Sequence, residues 1–210
     1  MTRLASLPVF FAITFLGLSA CSPKANNLRE GFKPRYFLDA VSGGDHYDDV
    51  FEANTIVDRS HSEFQPVISA HSTYWNASMR EAYIREMAGR FRLDAEAEKN
   101  LATTELQENE AYFVFIISAA TREFEWNELE RQKSLWRIAL ESEDSKIQES
   151  PERIEVISER DERAQYFYKN MTPFTRTYRV RFNKEKFKDV SNLVLHIAGV
   201  RGNLSFEFAK

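Results

Sequence analysis

Six consecutive residues, Tyr112-Phe113-Val114-Phe115-Ile116-Ile117, are apolar at both parities. A strand with one wet face alternates apolar and polar side chains, so a run without a polar position fits a strand covered on both sides. This segment therefore demands a layered fold, with a sheet or helices on each side of it.

The covering elements are legible around it. Phe64 to Trp75 has strand composition, with Pro66 suggesting an edge position or a bulge. The period then changes: Met79, Tyr83, Met87 and Phe91 recur every four residues, with Ile84 and Ala88 beside them. That spacing predicts an amphipathic helix near 76–91. Asn76 can cap it, and Ser78 with Glu81 offers an alternative capping box. A second helix is expected near 94–108, opened by Asp94 and carrying a thin stripe of Leu93, Ala97 and Leu101.

After Ile117 the pattern is strand-like. Trp136, Ile138 and Leu140 alternate with Arg137, and Ile154 and Val156 read as inward. Tyr178, Val180 and Phe182 form one row of a strand, with Thr175, Thr177, Arg179 and Arg181 on the other. A hairpin turning over Gly199-Val200-Arg201-Gly202 would pair Leu193 with Phe208, Leu195 with Phe206 and Ile197 with Leu204. A slip of one residue would turn one of those apolar rows to water, so the register is fixed. Short strands separated by polar turns such as Glu141 to Lys146 predict a mainly β, α+β fold. The expected form is a two-sheet, immunoglobulin-like β-sandwich with the helical pair inserted between its first and second strands.

The amino-terminal region follows other rules. Arg3 supplies positive charge, Leu7 to Leu18 is uncharged and apolar, and small residues lead into Cys21. The apolar part falls short of the roughly 20 residues that span a bilayer. Leu18-Ser19-Ala20-Cys21 resembles the lipobox of bacterial lipoproteins. The resemblance covers the first 21 residues and implies diacylglycerol on the Cys21 sulfur, cleavage before Cys21 and a further acyl chain on the new amino terminus. Two or three chains anchor firmly where one does not. Ser22, rather than Asp, after the cysteine favours the periplasmic face of the outer membrane over the inner membrane, by analogy with enteric bacteria.

The expected organisation is a signal peptide over 1–20, a lipidated cysteine and flexible tether over 21–49, and one sandwich domain over 50–210. Ser22 to Pro34 is polar and holds two prolines, and Ser42 to Asp49 reads as a turn or loop. Processing would leave 190 residues, enough for a core without disulfides or metals. Cys21 is the sole cysteine, which excludes an intramolecular disulfide. A formal charge of −4, or −5 once Arg3 is removed, argues against a nucleic-acid platform.

Chemistry-bearing motifs are sparse. His46, His61, His71 and His196 have no helical ligand spacing, and the acidic loop around His46 lacks the glycine and distal glutamate of an EF-hand. There is no Gly-x-Ser-x-Gly or Ser-x-x-Lys, so no catalytic residue, metal or cofactor is assigned. The residues singled out for surface binding are Arg176, Arg179, Arg181 and Trp126. The arginines, with Lys184, Lys186 and Lys188, form the most basic stretch, read either as a charged strand edge or as a contact for anionic headgroups or a polyanionic envelope component. Trp126, amid Glu123, Glu125 and Glu128, is the tryptophan best placed for exposure, whereas Trp136 is expected in the core and Tyr74-Trp75 near a groove. The expectation is a non-enzymatic interaction module, anchored to the membrane through Cys21 and meeting an envelope protein. A small-ligand or metal-binding lipoprotein serving a transporter is the alternative, and an envelope hydrolase the third.

Overall fold

The computed structural model describes residues 44–142, 147–187 and 192–209. The signal peptide, Cys21, the Ser22–Pro34 tether, most of the Glu141–Lys146 turn and Lys188 lie outside them. In chain order the elements are α1 (Gly44–Ala53), β1 (Thr55–Ser62), β2 (Gln65–Tyr74), α2 (Ala77–Phe91), α3 (Ala95–Ala111) and β3 (Tyr112–Thr121). Then follow β4 (Trp136–Ser142), β5 (Gln148–Glu149), β6 (Arg153–Ile157), α4 (Glu162–Phe167), β7 (Arg176–Asn183), β8 (Asn192–Gly199) and β9 (Gly202–Ala209). They build a mainly β, α+β molecule with two antiparallel sheets, ordered β1-β2-β3-β7-β6 and β5-β4-β8-β9.

The unbroken apolar run is β3, the middle strand of the five-stranded sheet, and both its faces are covered. Phe113, Phe115, Ile117 and Ala119 point into the inter-sheet core with Tyr178, Val180 and Phe182 from β7. Leu193, Leu195 and Ile197 of β8 and Leu204, Phe206 and Phe208 of β9 complete it from the second sheet. Val114 and Ile116, on the opposite face, join Tyr47, Phe51, Trp75, Met79, Met87 and Phe167 under the helices. Each large side chain removed from water in these clusters contributes about 1.5–3 kcal/mol.

Local chemistry sets the boundaries. The Asn76 side chain accepts from the Met79 amide at 3.0 Å and starts α2, while Arg92 closes it in the left-handed region at φ 49°. Asp94 accepts from the Ala97 amide at 2.8 Å and starts α3, which continues to Ala111, beyond the expected 108. The final hairpin has the register read from its apolar rows, with Leu195 opposite Phe206 and Ile197 opposite Leu204.

Three expectations need correcting. The stretch around Asp45–Asp49 is the helix α1, so folding begins before Val50. Tyr47, Val50 and Phe51 at i, i+3 and i+4 give α1 an inner stripe, and the Tyr47 hydroxyl donates to the Phe167 carbonyl at 2.7 Å. The strand β1 precedes the one expected first; at the sheet edge it needs little apolar patterning, and Ile56 supplies its main inward contact. Val156 faces the same side as Tyr178 but is exposed, because β6 is also an edge strand.

The two sheets meet along one side. The Asp58 carboxylate of β1 accepts from the Ser205 amide of β9 at 2.8 Å, satisfying an edge donor that the ladder leaves open. On the other side β6 and β5 are the outermost strands among the described residues, but β5 has two residues, Pro151 precedes β6, and Arg153 and Glu155 charge its surface. Those features discourage strand addition there.

Candidate functional site

The arginines singled out from sequence do not act together. Arg176 has the parity of Tyr178, whereas Arg179 and Arg181 emerge on the helix-covered face of β7. Arg176 donates to the Asn127 carbonyl at 3.0 Å and to Glu130 at 2.8 Å, pinning the loop between β3 and β4. The same loop is held by the buried Asn127, whose amide donates to the Ala119 carbonyl and whose own carbonyl accepts from Tyr178 at 2.7 Å.

Arg179 and Arg181 converge on Glu108 of α3. Arg181 Nε donates to Glu108 Oε1 at 2.8 Å and its Nη1 lies 3.0 Å from Glu155, while Arg179 donates to Glu108 Oε2. Arg80, from α2 and almost wholly buried, reaches the same Oε2 at 2.9 Å and also pairs with Glu105, itself an acceptor for the Trp75 indole. Burial alone would raise the Glu108 carboxyl pKa. Charge and hydrogen bonds from Arg179 and Arg80 outweigh it and hold Glu108 below the usual carboxylate range. Three guanidinium groups thus meet Glu105, Glu108 and Glu155, so this part of the basic stretch is neutralised internally and ties two helices to the sheet. Lys186 is paired likewise, with Glu149 at 2.8 Å.

Two further polar groupings were not anticipated as units. On the outer face of the second sheet, Ser205 Oγ lies 3.3 Å from His196 Nδ1, and His196 Nε2 lies 3.2 Å from Glu141. The proximity of Ser205 to His196 follows from the hairpin register, but Glu141 comes from β4 and only the sheet order brings it in. Acyl transfer would need amides turned toward an oxyanion beside the serine. The Ser205 amide instead donates to Asp58. The grouping holds an imidazole on the sheet surface and lacks that amide for catalysis. Across the first sheet, His71 stands between Val57 and Ser118. Burial, helped by Arg59, lowers its imidazole pKa. Among the described residues no three His, Asp or Glu side chains are grouped to hold a metal ion. Asp48, from the acidic stretch around His46, pairs with Lys169 at 2.9 Å.

The strongest unsatisfied feature is apolar and lies at one pole of the sandwich. The β1–β2 turn carries Phe64, 102% exposed, and the β8–β9 turn carries Val200, 90% exposed. Phe124 follows the end of β3 and Phe174 precedes β7, at 66% and 82%. The strand registers put Phe64, Phe124 and Phe174 at the same end, since Ser62 pairs with Gln65, Thr121 with Ile68 and Arg176 with Ala119, and the close approach of Gly202 to Ser60 brings Val200 there too. Trp126 is half-buried there, with the Arg201 guanidinium 3.9 Å over its ring and its carbonyl accepting from the Trp136 indole at 2.9 Å. Trp136 and Trp75 are in the interior.

A groove of about 520 Å³ opens at this pole between β6 and the segment leading into β7. Phe124, Val156, Ile157 and Met171 give it an apolar wall, and Ser158, Thr175 and Arg160 line its polar side. Composition gave no signal for this grouping, because its members come from four separate parts of the chain. Among the described residues no helix is long and apolar enough to cross a membrane. No protein-family model, no curated protein and no solved structure matches the chain.

Proposed function

We propose that this chain is a non-enzymatic interaction module of the bacterial envelope, held by lipid on Cys21 at the periplasmic face of the outer membrane. It meets an envelope protein through the groove beside β6. The observation carrying this reading is the exposure of Phe124 and Val156 in the wall of the groove, with the exposed Phe174 next in sequence to its lining residue Thr175. Large apolar side chains left in water at one place mark an interaction surface. A partner side chain entering the groove would find an apolar wall faced by a few convergent polar groups, Ser158, Glu159, Arg160 and Thr175, able to fix its orientation. Tethering supports a weak binder of this kind by raising its concentration near co-anchored partners.

The test places a photo-crosslinking residue at position 174 of the full chain in its native envelope. One envelope protein should crosslink, and its purified form should bind at least tenfold more weakly to the Phe124→Ser/Phe174→Ser variant. The groove volume lies within the range of small-ligand sites, which favours the ligand-carrier reading as second. A metabolite that co-purifies with the native chain but not with the variant, in the absence of any crosslinked protein, would establish that reading instead.

A further inference from the structure

The tips of the β1–β2 and β8–β9 hairpins stand apart from the groove and present their own chemistry. Both belong to the side of the sandwich where β1 meets β9. A side-chain carbon on Gly202 would lie 2.2 Å from Ser60 Oγ, so the two hairpins are in direct contact just below their turns. Above that contact project Phe64 and Val200, essentially untouched by the rest of the protein.

The Phe64 turn is also strained. Glu63 and Phe64 both have positive φ, 49° and 67°, where a two-residue hairpin ordinarily uses asparagine and glycine. A bulky aromatic residue in that conformation is an outlier that the surrounding hairpin must hold in place. The hairpin thus spends conformational energy on a phenylalanine that is fully exposed among the described residues.

We infer that these two hairpin tips dip into the surface of a phospholipid bilayer. Three observations select a bilayer over a shape-matched protein. The apolar side chains stand singly at the tops of separate turns, so a partner must close around each one, as a fluid acyl layer does without separate pockets. Below the tips, Trp126 stacks against Arg201, an amphipathic pair of the kind that settles at headgroup level. Third, the chain preceding the described residues is long enough for the contact. The 22 residues between Cys21 and Gly44 reach at most about 80 Å, more than twice the roughly 30 Å of strands eight to ten residues long. The charges beside the tips, Glu63 and Arg201, are of opposite sign, and the exposed Glu123 and Glu125 flanking Trp126 suit a zwitterionic surface better than an anionic one. The groove then opens near the headgroups, and the protein it receives is one accessible at the membrane surface. This inference rests on the lipid anchor proposed above.

The single-cysteine composition makes a direct test possible. With Cys21 acylated, Phe64→Cys, Val200→Cys and Leu106→Cys each provide one thiol for an environment-sensitive fluorophore, the last on α3 as a reference. All three side chains are exposed, so their replacement removes little packing. The full lipidated chains are reconstituted in phosphatidylcholine–phosphatidylethanolamine vesicles, some of whose acyl chains carry a nitroxide quencher. Quenching at positions 64 and 200 should exceed that at 106 several-fold. Equal quenching at all three positions in a protein that floats with the vesicles refutes tip insertion and leaves the anchor standing. A chain that does not float removes the anchor and the inference together. If positions 64 and 200 become shielded only when the crosslinked envelope protein is added, the tips belong to a protein contact and the bilayer reading is wrong.

Discussion

Glu108 shows how one side chain can decide whether a basic stretch is a surface or a joint. Arg80, Arg179 and Arg181 all donate to its carboxylate, and α2, α3 and β7 are thereby held together. Removing one member of a buried ionic group leaves the others uncompensated, at about 3–5 kcal/mol. Glu108→Gln keeps the shape and deletes the charge, and Arg181 retains Glu155. A loss of about 3 kcal/mol is therefore expected, measured as a lowered urea midpoint at neutral pH. The sign of its pH dependence follows from the depressed pKa. As pH falls, the unfolded chain takes up this proton first, so the contribution is complete above the ordinary carboxylate pKa and disappears as pH falls through the lower folded value. Native and variant midpoints should converge in that acidic window; a gap that stays constant would place the stabilisation elsewhere. Charge content alone could reveal the arginines but not this role, because Glu108 is 71 residues from Arg179.

At the scale of elements, legibility followed how clearly a segment's apolar period or cap stood out within its own sequence. The central strand, the paired rows of the final hairpin and the two capped helices each carry a pattern that a single packing arrangement satisfies. Of the elements missed, β1 is an edge strand with no fully buried side chain, whereas α1 buries Tyr47 and Phe51 but opens with the Gly-Asp-rich composition of a turn. In the final hairpin the two glycines are set by space rather than by turn conformation. Gly199 and Gly202 do not adopt positive φ, so tight turning does not explain them. Close approach does: a side-chain carbon on Gly199 would lie 2.5 Å from the Leu135 carbonyl and 2.7 Å from the Trp136 ring. Gly199→Ala should therefore destabilise by about 1–3 kcal/mol through overpacking, read from the thermal or urea midpoint. An unchanged midpoint would mean that β4 and β8 can separate freely at this end. The groove stayed hidden for the same reason as the ionic cluster, since its walls are assembled by topology and no one segment contains them.

For the molecule as a whole, the contact between β1 and β9 is what makes two sheets into one closed structure on that side. Asp58→Ala removes the acceptor for the Ser205 amide and should cost about 1 kcal/mol. Hydrogen exchange should quicken in β1 and β9 while β3 keeps its protection, since local opening need not breach the core. Uniform acceleration throughout the molecule would instead make this seam part of the global unfolding unit. The seam also ties events in time. Its two halves are separated by 147 residues, so a chain emerging amino-terminus first can pair β1 with β2 early but leaves the outer edge of β1 open until β9 appears. Closure of the shell on that side therefore waits for the last strand of the chain to be made.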